Sequence, residues 1–167
     1  LKTLVAYLSM TGNTKKVAEA IYNEIPGEKE MKELKDVPSL QGYDLAFIGF
    51  PIHASNPASQ AREWLEKNSP GHKIALFITH AAPEEAEDLQ PMLERCKEAA
   101  AEADLIGCFD CQGELAQEII DFLLKSEDPK RRAFGEYGPR TKGQPDATRL
   151  ERARAFAREI VERLEKQ

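Results

Sequence analysis

The amino-acid sequence predicts a doubly wound α/β domain: a five-stranded parallel sheet in the order 2-1-3-4-5, with helices on both faces. Three observations predict it. Short, nearly continuous apolar runs recur at residues 4–8, 45–50, 74–79 and 105–111, as parallel strands covered on both faces require. Stretches with apolar residues at helical spacing separate them. A charged segment at residues 29–34 suits an edge strand, where charge discourages pairing with another sheet.

The elements follow in order. Leu4-Val5-Ala6-Tyr7-Leu8 is the first strand. Val17, Ala18, Ile21 and Ile25 mark a helix over residues 14–25, and Pro26-Gly27 ends it. After the edge strand, Leu45-Ala46-Phe47-Ile48-Gly49-Phe50 is buried, and a loop is expected from Pro51 to Asn56. A helix is expected to open at Pro57 with Asn56 as its cap, and Ala61, Trp64 and Leu65 inward. The strand at 74–79 leads to a helical stretch carrying Leu93, Cys96 and Ala100, and residues 105–111 form the last strand. A helix over 114–125 should bury Leu115, Ile119, Phe122 and Leu123. Residues 126–146 collect Pro129, Gly135, Gly138, Pro139, Gly143 and Pro145, which predicts an extended surface loop. A C-terminal helix over 147–166 places Leu150, Ala153, Ala157, Ile160, Val161 and Leu164 on one face. No repeat or internal boundary divides the 167 residues, so a single domain is expected.

Composition bounds the function. The chain is 41% hydrophobic and 31% charged, a globular balance. Its net charge of −6 is uneven: residues 127–167 carry 11 Lys/Arg against 8 Asp/Glu, leaving −9 on residues 1–126. That argues against a nucleic-acid partner. No apolar run approaches the roughly 20 residues of a membrane span, and the residues before the strand at Leu4 carry no basic region or cleavage site, so a secretory signal is not expected. Cys96, Cys108 and Cys111 cannot all pair with one another, so a reducing cytoplasm is the expected location.

In a doubly wound sheet, ligands bind beyond the carboxyl ends of the strands where the strand order reverses. The loop there is Ser9-Met10-Thr11-Gly12-Asn13-Thr14. It offers three hydroxyls, a glycine for a tight turn, and a helix N-terminus whose free amides and dipole favour an anion. It holds no Lys or Arg, which suits a fixed phosphate monoester better than a magnesium-bound triphosphate. The same string also fits an ordinary capped strand-to-helix turn, and its position after the first buried strand favours the phosphate.

The segment Ala6-Tyr7-Leu8-Ser9-Met10-Thr11-Gly12-Asn13-Thr14 resembles the flavodoxin fingerprint, a strand followed by (S/T)-x-T-G-x-T. Cys111-Gln112-Gly113 and residues 153–158 are similar to a flavodoxin-like subgroup of anaerobic bacteria. The resemblance implies FMN, its phosphate on residues 9–14 and its ring between Pro51-Ile52-His53-Ala54-Ser55-Asn56 and Thr79-His80-Ala81-Ala82-Pro83. Very-low-potential flavodoxins usually flank the ring with aromatics, and neither loop here has one. His53 and His80 are the substitutes on offer, to stack on the ring or to place a donor at its edge, unless they are simply solvated loop residues; backbone groups of Ile52, Ala54, Ala81 and Ala82 are expected as further ring contacts.

Cys108-Phe109-Asp110-Cys111 has C-x-x-C spacing, but on a strand the two thiols point to opposite faces, so buried structural thiols are expected. Cys111 is the nearer to the ligand end. The arginines at 131, 132, 149, 152, 154 and 158 offer either a docking face or the solvated side of a helix, and Tyr137 a lid over the cleft. The function these features imply is an FMN-binding electron-transfer protein shuttling electrons between redox partner proteins, rather than a stand-alone oxidoreductase. The alternatives are an FMN-dependent reductase of a small acceptor such as a quinone or tetrapyrrole, which the subgroup resemblance hints at, and a phosphate-ligand module without flavin.

Overall fold

Successive side chains of a strand point to opposite faces, and here they sort into two cores. In the computed structural model, which describes residues 1–167, the chain forms β1 (Lys2–Tyr7), α1 (Asn13–Glu24), β2 (Glu28–Glu33), β3 (Leu45–His53), β4 (Asn56–Pro57), α2 (Ser59–Asn68), β5 (Lys73–His80), α3 (Leu89–Glu98), β6 (Asp104–Gln112), α4 (Gln117–Leu124), α5 (Pro129–Tyr137) and α6 (Ala147–Glu165). The main sheet runs β2-β1-β3-β5-β6, parallel throughout. This is the expected order, with the two-residue β4 added antiparallel to the end of β3.

Leu4, Ala6, Ala46, Ile48, Phe50, Ile74, Leu76 and Ile78 face α2 and α3, where Ala61, Leu65, Leu93 and Cys96 meet them. The intervening Val5, Tyr7, Leu45, Phe47, Ala75 and Phe77 face α1 and α6, against Val17, Ile21, Ala157 and Ile160. Each large side chain buried this way contributes about 1.5–3 kcal/mol. The helices lie close to the sheet at Gly107, where an added Cβ would sit 2.6 Å from Ile160 Cδ1. The C-x-x-C thiols divide as expected: Cys108 packs beside the first core and Cys111 lies in the second.

Five expectations are corrected. Residues 51–53 continue β3 instead of opening a loop, and Ile52 and His53 pair with Pro57 and Asn56. Ala54 and Ser55 close this hairpin at φ of 50° and 65°, the turn geometry that matches strand twist but strains residues other than glycine. Asn56 therefore caps nothing. Helix α2 begins at Ser59 with Ala58 as its cap residue, and the Ala58 amide donates to Pro51 O at 3.2 Å.

Residues 126–146 are not an extended loop. They contain α5 and a 3-10 turn, Gly138–Thr141. Asp128 caps α5, accepting from the Lys130 amide at 3.0 Å, with Pro129 in the first turn. Gly135 and Gly138 allow close packing rather than breaking the chain. An added Cβ would lie 3.0 Å from Leu123 Cβ at the first and 2.5 Å from Ile120 Cγ1 at the second. This packing also turns α4: Ile120 is its buried residue, whereas Ile119 and Phe122 are exposed, contrary to the expected apolar face. Helix α4 starts at Gln117, later than expected, because residues 114 and 115 are tied to the C-terminal segment. The Glu114 amide donates to Gln144 O and the Leu115 amide to Thr141 Oγ1.

Candidate functional site

β1 and β3 part at Leu8, whose amide still reaches Gly49 O at 2.9 Å. The chain then turns through Ser9-Met10-Thr11-Gly12 into α1. Gly12 takes φ 96°, and no atom lies within 4 Å of where its Cβ would be. Only glycine adopts that turn without strain. Ser9 Oγ accepts from the Gly12 amide at 3.1 Å and the Lys15 amide at 3.3 Å. Helix α1 has no side chain capping from Gly12, so the remaining amides of its first turn are donors without an intrahelical acceptor.

The loop's hydroxyls have different roles. Thr14 is buried and its Oγ1 lies 2.8 Å from Thr79 Oγ1, which pins the start of α1 to the end of β5. Met10 is exposed. Asn13 Nδ2 donates to Glu114 O at 2.9 Å, and Gly113 leaves room for it: a Cβ there would come within 2.5 Å of Asn13 Nδ2. The chain leaving β6 therefore forms a wall beside the α1 N-terminus.

The two neighbouring segments differ in burial. His53 and Ala54 are exposed at the β3–β4 hairpin, with Pro51 and Ile52 half-buried. Thr79 and His80 are the last residues of β5 and are buried, Ala82 is buried and Ala81 half-buried. His80 Nε2 lies 2.9 Å from Asp110 Oδ2, while its Nδ1 is buried without a protein partner. The carboxylate orients the His80 ring through Nε2 and leaves Nδ1 as a polar atom with no protein partner. His80 O accepts from the Gly113 amide at 2.6 Å.

Sequence reasoning missed Asp110 and Gln112. Asp110 was visible only as the middle of a cysteine motif, although two-residue periodicity sets it on the face of β6 opposite Cys111. Gln112 pairs in register with His80, and its Nε2 reaches Tyr137 Oη and the carbonyls of Ala81 and Ala82. Tyr137 thus comes to the Ala81–Ala82 segment from α5, a placement that only the folded α4–α5 pair reveals.

Several arginines offered as a docking face are paired within the chain. Arg149 and Arg152 reach Glu84 at 3.1 and 3.4 Å, and Arg158 reaches Glu24 at 2.7 Å and Glu151 at 3.0 Å. Burial pushes the thiols of Cys96 and Cys111 up to about 12 and that of Cys108 up to about 11. All three are free and protonated at neutral pH. No helix is long and apolar enough to cross a membrane.

A glycine-bearing, hydroxyl-rich turn at a helix N-terminus, set where the strand order reverses, is the anion-site architecture of doubly wound nucleotide-binding domains. A family model described as a flavodoxin domain matches residues 4–158. The chain therefore belongs to the flavodoxin domain family, an FMN-binding class with a redox role. It is 29% identical to a flavodoxin-like domain-containing protein, BilS, of Clostridioides difficile (strain CD3), over 96% of this chain and 97% of that one. Its fold is shared with a flavodoxin from the domain Archaea, at TM-score 0.63, 17% identity and 99% coverage of both chains. It is shared too with oxidised Flavodoxin 2 from Bacillus cereus, at TM-score 0.59 and 20% identity over 98% of this chain and 99% of that one. A flavoprotein from Lactobacillus acidophilus NCFM, solved in complex with FMN, matches at TM-score 0.54 and 24% identity over 65% of this chain and 92% of that one.

Proposed function

We propose that this chain is an FMN-dependent electron carrier that shuttles electrons between redox partner proteins in a reducing cytoplasm. The turn from Ser9 into α1 carries this reading. It presents neutral donors around a glycine whose Cβ direction is open, and it holds no side chain that would demand a magnesium-bound triphosphate. That donor set fits a flavin phosphate. Bound FMN supplies the redox chemistry, and the chain supplies binding, orientation and potential.

In this reading the phosphate takes the hydroxyls of Ser9 and Thr11 and the backbone amides of Met10, Asn13 and Thr14, while Gly12 makes the turn and gives its own amide to Ser9 Oγ. Thr14 also anchors the loop through Thr79. Pro51, Ile52, His53 and Ala54 line one side of the ring, and His80, Ala81 and Ala82 the other. His80 Nδ1, held in place through Asp110 and without a protein partner, is the polar atom on that side.

The test is titration of the apoprotein with FMN. Binding is expected to quench flavin fluorescence. At a free FMN concentration about 100 times Kd it should add about 2.7 kcal/mol of stability, raising Tm by about 5–10 °C for a chain of this size. An unchanged melting curve in excess FMN would sink the reading. Rapid turnover of NAD(P)H and a quinone by the loaded protein, with no partner present, would instead identify a reductase of small acceptors.

A further inference from the structure

The Ala81–Ala82 segment is held by packing only through the Ala82 methyl, which joins the first core, while Ala81 is half-buried. Both side chains are methyl groups, and the segment precedes Pro83, which has no amide to donate. Gln112 holds it instead. Gln112 is 5% exposed, and its Nε2 lies 2.8 Å from Tyr137 Oη, 3.1 Å from Ala82 O and 3.3 Å from Ala81 O. The two carbonyls cannot donate, so the nitrogen end of the carboxamide must face them. Of its two hydrogens, one goes to Tyr137 and the other is shared by the adjacent carbonyls.

Tyr137 is itself held. It ends α5 where Gly138 meets Ile120. Thr141 Oγ1 donates to Gly138 O at 2.6 Å and accepts from the Leu115 amide at 2.8 Å. The Arg140 guanidinium lies over the Tyr137 ring at 5.9 Å. One consequence follows from peptide geometry. Across a trans peptide the carbonyl and the next amide point opposite ways, so holding Ala81 O toward the Gln112 carboxamide turns the Ala82 N–H away from it.

We propose that Gln112 and Tyr137 form a latch that sets the Ala81–Ala82 backbone for the flavin ring, making the α4–α5 hairpin a determinant of FMN affinity and potential. Both are positioning residues. The proposal rests on the flavin reading above, and it gives Tyr137 a role other than a lid.

Two variants test it. Tyr137→Phe keeps the ring and removes one acceptor from Gln112, while Gln112→Leu removes the donor. In the apoprotein, hydrogen exchange of the Ala82 amide is expected to rise in both, with the melting temperature of Tyr137→Phe close to wild type. FMN affinity, read by fluorescence quenching, is expected to fall about threefold to tenfold in Tyr137→Phe, the range for one neutral hydrogen bond. The flavin potential is expected to move with it. Wild-type exchange and affinity in both variants would overturn the latch. Faster exchange with unchanged FMN affinity and potential would also overturn it, leaving a purely structural tie. Failure of the wild-type protein to take up FMN would overturn the flavin reading and this proposal with it, and is separable because exchange in the apoprotein does not depend on FMN.

Discussion

Ser9 serves the loop in two ways. Its oxygen satisfies the Gly12 and Lys15 amides, and its hydroxyl proton is still free to meet an anion. Ser9→Ala is therefore expected to weaken FMN binding by about tenfold to a hundredfold, the range for one hydrogen bond to a charged group. It should also lower the apoprotein Tm, because two amides lose their acceptor. A fluorescence titration with a thermal melt checks both, and unchanged affinity would remove Ser9 from the site. The cysteines offer a contrasting case at the same scale. Burial raises Cys111 and Cys96 from 9.0 to about 12 and Cys108 to about 11, so native protein at pH 8 holds no reactive thiolate. A disulfide dye at pH 8 should label no thiol within minutes, and all three once urea is added. The sign for stability follows. Protons are held more tightly in the folded state, so this contribution is complete below about pH 9 and is lost as the pH rises toward 12. Urea midpoints are expected to fall over that window, less so in Cys111→Ala.

Helix α6 closes one face of the sheet, and Asp146 starts it. Its carboxylate accepts from the Arg149 amide at 3.0 Å and lies 3.1 Å from Arg149 Nη1. The amide first, then the Gln144 and Arg149 side chains, hold the Asp146 carboxyl below its ordinary value of 3.8. Its stabilisation is therefore present above pH 3.8 and is lost as the pH falls through the lowered value. Asp146→Ala should melt below wild type at pH 7, and the gap should close in acid. A gap that persists at pH 2 would mean that the cap does not act through its charge. The C-terminal helix and its apolar face were legible beforehand because a sustained helical period ends in a buried stripe at Ala153, Ala157, Ile160 and Val161. The strands were legible for a related reason, since both faces are covered and the runs are continuous. Helix α5 was not legible. Its glycines look like breaks in a chain read alone, and their packing function exists only once Leu123 and Ile120 lie against them. The same crossing exposes Ile119 and Phe122, so the period of α4 was visible but its buried face was not. At the site, the phosphate turn was legible because its determinants are contiguous. The His80–Asp110 and Gln112–Tyr137 pairs were not, since 30 and 25 residues separate their members.

For the molecule as a whole, charge is the property that a partner meets first. Residues 1–126 carry −9 and residues 127–167 carry +3. Several of the C-terminal arginines are already engaged with Glu24, Glu84 and Glu151, which weakens them as a docking face, and the net charge of −6 leaves the long-range field negative. Small probes can read that field without a known partner. FMN-loaded, reduced protein can be mixed with a cationic oxidant, hexaammineruthenium(III), or an anionic one, ferricyanide, in a stopped-flow instrument. Raising the ionic strength from 0.01 to 0.15 M shortens the Debye length from about 30 Å to about 8 Å. If the acidic body controls approach to the site, the second-order rate with the cation should fall several-fold while the rate with the anion rises. Equal salt dependence for the two would show that the field at the site is neutral, and the reverse pattern that the basic segment governs it. Either result would redirect the choice of partner: a basic protein for an acidic approach, an acidic one if residues 127–167 prevail.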